Sequence, residues 1–149
     1  MLYRLTMPTN EEAHPTGAYL GATETELLQL QSTARLASLV DQRKSFPHRG
    51  ALWIEPECLR LEAWRDIPRS RVRQVRRDFT LTYSRLRAGG IRGQYSSLGV
   101  FGKWGKPVIL ELDETAERVY LLLDYRWILG TTRNEQLERS LAAWLAAPR

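Results

Sequence analysis

The 149-residue chain has one cysteine, Cys58, and two histidines, His14 and His48. A lone thiol can neither close an internal disulfide nor build a zinc site by itself. The histidines sit in proline-containing stretches, with no second histidine, cysteine or acid at ligand spacing, so no metal and no cofactor is expected. Cys58 and His48 do not form a convincing nucleophile pair, because no oxyanion-hole glycine motif stands beside the cysteine. Gly89 to Gly93 (Gly-Gly-Ile-Arg-Gly) lacks the Gly-Lys-Ser/Thr step of a phosphate loop. No acid–base constellation stands out, so a non-enzymatic protein is expected. Long apolar runs are missing too. The run Val119 to Leu123 suits a strand, and no run approaches the roughly 18 residues that span a bilayer. Residues 1–15 have no apolar centre after a basic start and do not read as a signal peptide. The expected location is cytoplasmic.

What is present is an ordinary share of apolar residues, 43%, enough for one packed core. The net charge of +5 is uneven. Residues 50–106 hold twelve bases against five acids, whereas residues 1–49 hold five of each and residues 107–149 five bases against seven acids. A basic middle attracts nucleic acid, anionic lipid or an acidic protein. Its densest part is an arginine ladder: Arg65, Arg69, Arg71, Arg73, Arg76 and Arg77. Arg71 and Arg73 flank Val72 as if one strand face were basic. Behind the ladder, residues 88–106 carry six glycines with Tyr95, Phe101, Lys103 and Trp104 among them. Loops of that length usually bind something or cover part of a core. The candidate binding surface is therefore Arg69, Arg71, Arg73, Arg76, Arg77, Tyr95, Lys103 and Trp104. Against a phosphate surface stand Glu62, Asp66 and Asp78, close enough in sequence to neutralise part of the ladder. Clustered Asp113, Glu114 and Glu117 read as a solvated turn.

The spacing of Thr23 and Glu26 predicts a capping box at the start of a helix over about 24–42. That helix is apolar on two sides, as a segment packed between its own domain and a partner would be. Residues 1–45 are read as an extension, dispensable for folding, and 45–50 as a linker. The core domain is expected over 50–147. Ala51 to Ile54 and Cys58 to Trp64 predict a hairpin around Glu55-Pro56-Glu57, with Leu59, Leu61 and Ala63 on one face. Arg65 to Pro68 is expected to turn the chain. A helical turn within Ser70 to Gln74 then leads to a strand over Val75 to Phe79. Alternation continues through Leu86, and a short strand is expected around Leu98 to Phe101. Pro107 to Asp113 and Arg118 to Asp124 predict a second hairpin, followed by an edge segment within Tyr125 to Thr132. Asn134 is expected to cap a last helix with its apolar stripe at Leu137, Leu141, Trp144 and Leu145. Trp53, Trp64, Trp127 and Trp144 are expected in the core and Trp104 outside it.

Four features carry a family resemblance: the hairpin around Leu52 to Leu61, Ile67-Pro68 leading into Val72 and Val75, the Arg87 to Gly90 loop running to Trp104, and the hairpin that feeds the terminal helix. Over residues 50–147 the chain resembles the bacterial pleckstrin-homology-like (PH-like) domains. The resemblance implies an α+β, mainly β fold: a bent antiparallel sheet or barrel of six or seven strands, closed at one end by the C-terminal helix, here with an extra N-terminal helix. Phosphoinositide-binding members carry bases on the loop after the first strand. Here that loop is Glu55-Pro56-Glu57, so a phosphoinositide is not expected. The expected partner is a protein, either a second copy or another chain, and the alternative is a nucleic acid held by the ladder.

Overall fold

The computed structural model describes residues 14–29, 43, 46–78, 106–113, 117–126 and 131–148. Its strands are β1 (Gly17–Thr23), β2 (His48–Ile54), β3 (Cys58–Leu61), β4 (Arg65–Pro68), β5 (Val72–Arg77), β6 (Val108–Leu112) and β7 (Arg118–Leu123). Helix α1 spans Glu24–Leu28 and helix α2 spans Asn134–Ala146. The seven strands form one antiparallel sheet in the order β4-β3-β2-β1-β7-β6-β5. The sheet curls into a half-barrel, with α2 packed on β5, β6 and β7.

The inner wall follows the period-2 rule. Tyr19, Leu52, Leu59, Leu61, Val119, Leu121 and Leu123 are buried there against Leu137, Leu141 and Trp144 of α2. Each such side chain contributes about 1.5–3 kcal/mol when fully removed from water. The apolar run of β7 is explained by burial on both faces, since Tyr120 and Leu122 join Leu20, Ala22, Leu27, Phe46 and Ile109 in a second cluster. Among the described residues, no helix is long and apolar enough to cross a membrane.

The β6–β7 hairpin, the β2–β3 hairpin and the stripe of α2 stand where the sequence puts them. The capping box is present in full, with the Glu26 N–H donating to Thr23 Oγ1 and the Thr23 N–H to Glu26 Oε1, both at 3.1 Å. Of the expected helix 24–42 the described part is α1 and its C-cap Gln29. Leu27 is buried and Leu28 is 58% exposed.

The largest correction is β1. It pairs with β2 on one side and β7 on the other, in the middle of the sheet. A core beginning at residue 50 would cut the sheet in two, and the expected linker already contains His48–Gly50 of β2. Arg65–Pro68 is a strand rather than a turn. Pro68 is tolerated there because β4 is an edge and proline ends it. The strand expected through Trp64 stops at Leu61, since Ala63 takes a left-handed φ of 60° and is exposed. Its neighbour Trp64 turns back over the sheet. A 3-10 turn at Arg69–Arg71 precedes β5, which begins at Val72 with a register shift before Gln74. That shift puts both Val72 and Val75 against the inner core. Of the expected edge segment, Arg126 and Thr131 form an isolated bridge. The expected alternation over residues 80–86 and the short strand around Leu98 to Phe101 lie outside the described residues.

Asn134 does not cap α2 with its side chain. It is fully buried and ties three segments together: its Oδ1 accepts the Leu123 N–H at 2.7 Å and its Nδ2 donates to the Lys106 carbonyl at 2.8 Å. At the other end of α2, the Trp144 indole donates to the Glu55 carbonyl at 2.7 Å, seating the β2–β3 turn.

Candidate binding surface

The arginine ladder is mostly occupied within the molecule. Arg65 Nη1 lies 2.8 Å from Glu117 Oε1, linking the β3–β4 and β6–β7 turns. Arg76 lies 3.3 Å from Glu111 and 3.6 Å from Asp78. Arg77 reaches Glu138 of α2 at 3.2 Å. Arg69 is only 6% exposed and donates to the carbonyls of Leu145 and Ala147 at the end of α2. Arg71 is half-buried and its Nε has no hydrogen-bond partner among the described residues. Arg73 is exposed, with no ion pair among the described residues. The ladder is therefore not one exposed basic face. Tyr95, Lys103 and Trp104, the other expected site residues, lie outside the described residues, as do Phe101 and Trp127.

The structure brings together a different set. Adjacent positions across β2, β3 and β4 put Trp53 beside Arg60 and Arg60 beside Asp66. The Arg60 guanidinium carbon sits 4.9 Å from the Trp53 ring centre, and its Nη1 is 3.1 Å from Glu55 Oε1. Below this row lies an open groove of about 490 Å³, lined by Trp53, Arg60, Leu61, Glu62, Ala63, Trp64, Arg65 and Asp66. Strand alternation already put Arg60 on the face of its strand opposite Leu59 and Leu61, whereas Trp53, expected in the core, is half-buried beside it. What the sequence hid was that β4 exists and aligns Asp66 with them.

Trp64 stacks on His48, with ring centres 4.1 Å apart and planes 2° apart, and more distantly on Tyr19 at 6.2 Å. It is half-buried against the inner core rather than sealed within it, as is Trp53 on the outer side. His48 Nε2 donates to Glu26, 2.8 Å from Oε2, so the capping carboxylate of α1 also holds the stacked imidazole. Cys58 is separate from this pair: its thiol donates to Glu55 Oε2 at 3.4 Å. Burial pushes that thiol up, and the Glu55 hydrogen bond and charge add to the rise. A thiol held in its protonated form is a poor nucleophile at neutral pH. Among the described residues no group of three potential ligands gathers for a metal.

The Tyr19 hydroxyl donates to the Glu62 carbonyl at 2.5 Å. Burial, and then the Glu62 charge, push its pKa from 10.0 up to about 12. The folded state holds this proton more tightly than the unfolded chain does. Stability from Tyr19 is thus intact below pH 10 and falls as pH rises through about 12. The expected result is a lower melting temperature in that alkaline window for the native chain, with a smaller decrease in Tyr19→Phe. Identical alkaline profiles would refute it.

No protein-family model matches the chain, and no curated protein or solved structure matches it significantly. The class of protein is given by its own architecture: a curled seven-stranded antiparallel sheet with a C-terminal helix.

Proposed function

We propose that this chain is a non-enzymatic binding module of PH-like fold that acts by contact with protein, either another chain or a second copy of itself. The curled seven-stranded sheet and its terminal helix support the PH-like reading, because they are what the resemblance implies. The observation that carries the functional reading is the groove beside Trp53 and Trp64, where aromatic surface and mixed charge lie together in the open. Aromatic residues and arginine are the types enriched at protein interfaces.

The nucleic-acid alternative through the ladder is not favoured, because Arg65, Arg69, Arg76 and Arg77 already have acceptors. A phosphoinositide is disfavoured by the acidic β2–β3 turn, whose Glu55 accepts from Arg60. An immobilised single strand of about 20 nucleotides is expected not to retain the protein at about 0.15 M salt. Retention that falls steeply with salt and is weakened by Arg73→Glu would overturn the reading. Sedimentation velocity over an approximately hundredfold concentration range separates its two forms. Rising mass marks self-association, and a constant monomer mass marks a different partner chain.

A further inference from the structure

We propose that the Trp53–Trp64 groove takes a basic segment of a partner protein, inserting an arginine or lysine side chain beside Asp66 and Glu62. The proposal rests on the protein-contact reading above and names the chemistry of the partner.

The argument is one of charge complementarity. Two guanidiniums line the groove, and both are already neutralised: Arg60 by Glu55 at 3.1 Å and Arg65 by Glu117 at 2.8 Å. Two acids line it as well. Glu62 accepts the Ala51 N–H at 2.8 Å but no cation among the described residues, and Asp66 has no ion pair among them. Both are exposed. The groove and its rim therefore hold Glu55, Glu62, Asp66 and Glu117 against Arg60 and Arg65. The local surplus is negative on a chain whose net charge is +5. An anionic ligand would be repelled here, and a cationic side chain would find two uncompensated carboxylates.

The aromatic walls fit the same ligand. Arg60 already covers one face of Trp53, so this indole walls the groove as apolar surface along which the stem of a long cationic side chain can lie. Trp64 gives the groove a second indole wall, fixed in place by its stack on His48. A volume of about 490 Å³ admits a side chain or two rather than a folded domain, so an extended segment suits it.

The test is fluorescence anisotropy with a labelled Gly-Arg repeat hexapeptide and a Gly-Glu counterpart of equal length. The arginine peptide is expected to bind saturably and the acidic one not to bind. Glu62→Gln with Asp66→Asn is expected to weaken binding by about fivefold or more. The amide oxygen introduced by Glu62→Gln still accepts from the Ala51 N–H, so the hairpin stays folded. Glu135→Gln on α2, outside the groove, is expected to leave binding unchanged. Absence of saturable binding, equal loss in Glu135→Gln, or binding of the acidic peptide would overturn the proposal. If that happens while the oligonucleotide is still not retained, only the groove assignment is lost. Oligonucleotide retention would instead remove the reading beneath it.

Discussion

Arg69→Ala is expected to lower the unfolding free energy by about 3 kcal/mol. Arg69 is 6% exposed and is an arginine in the service of a helix end. Its guanidinium donates to the carbonyls of Leu145 and Ala147 where α2 finishes, and its backbone N–H donates to the Glu57 carbonyl at 2.8 Å. The last carbonyls of a helix have no intrahelical donor and carry the negative end of its dipole, so a cation there satisfies both needs. Alanine would leave those carbonyls without their donor and open a void beneath the β4–β5 corner. Arg69→Lys, which keeps the charge but not the fork of donors, should lose about half as much. Urea denaturation reads both changes: with a slope of about 1–3 kcal/mol per molar, the alanine midpoint should fall by about 1 M or more. By contrast, Arg77→Ala breaks one partly exposed pair with Glu138 and should lose about 1 kcal/mol or less. An Arg69→Ala midpoint no lower than that of Arg77→Ala would show that Arg69 does not anchor the helix end.

The contrast between Arg69 and its neighbours also shows why the ladder misled as a motif. Sequence displays the spacing of arginines but not their acceptors, which lie 35 positions away for Arg76 and Glu111 and 78 for Arg69 and Ala147. Nearby Asp66, which looked able to neutralise the ladder, pairs with none of it among the described residues, while Asp78 meets Arg76 at 3.6 Å. Where the signal was local it was readable. The Thr23–Glu26 box needs only its own turn, and the stripe of α2 needs only a period. Strand β1 failed for the opposite reason. Its inner positions include Gly17 and Gly21, and a glycine-rich run next to Pro15 reads as loop until the group that needs the missing side chain is known. Asn134 failed similarly: at the start of a helix its commonest role is the cap, and only the end of β7 and Lys106 brought against it reveal a buried clamp.

The missing side chain at Gly21 leads to the second large effect. Gly21→Val is expected to destabilise the fold by about 3 kcal/mol. A Cβ at Gly21 would lie 2.4 Å from Trp64 Cζ3 and 3.0 Å from its Cε3, so the indole rests directly on the backbone of β1. Leu121, on the paired strand, closes the other side, with its Cδ2 3.2 Å from the same Cβ position. The obstacle is a ring flanked by His48 and Tyr19 rather than the loose end of a flexible chain, so the valine cannot be absorbed by a rotamer change. Trp64 must move, and its stack on His48 breaks with it. The near-ultraviolet dichroism of the folded protein should change accordingly. In a double-mutant cycle, Trp64→Ala should recover part of the loss, giving a coupling of about 1 kcal/mol or more. Strict additivity would show that the two positions do not share that space. Because Trp64 also walls the groove, Gly21→Val should weaken the arginine-peptide signal while leaving Glu62 and Asp66 in the chain. An unchanged signal would show that the carboxylates alone hold the peptide and that the indole wall contributes nothing.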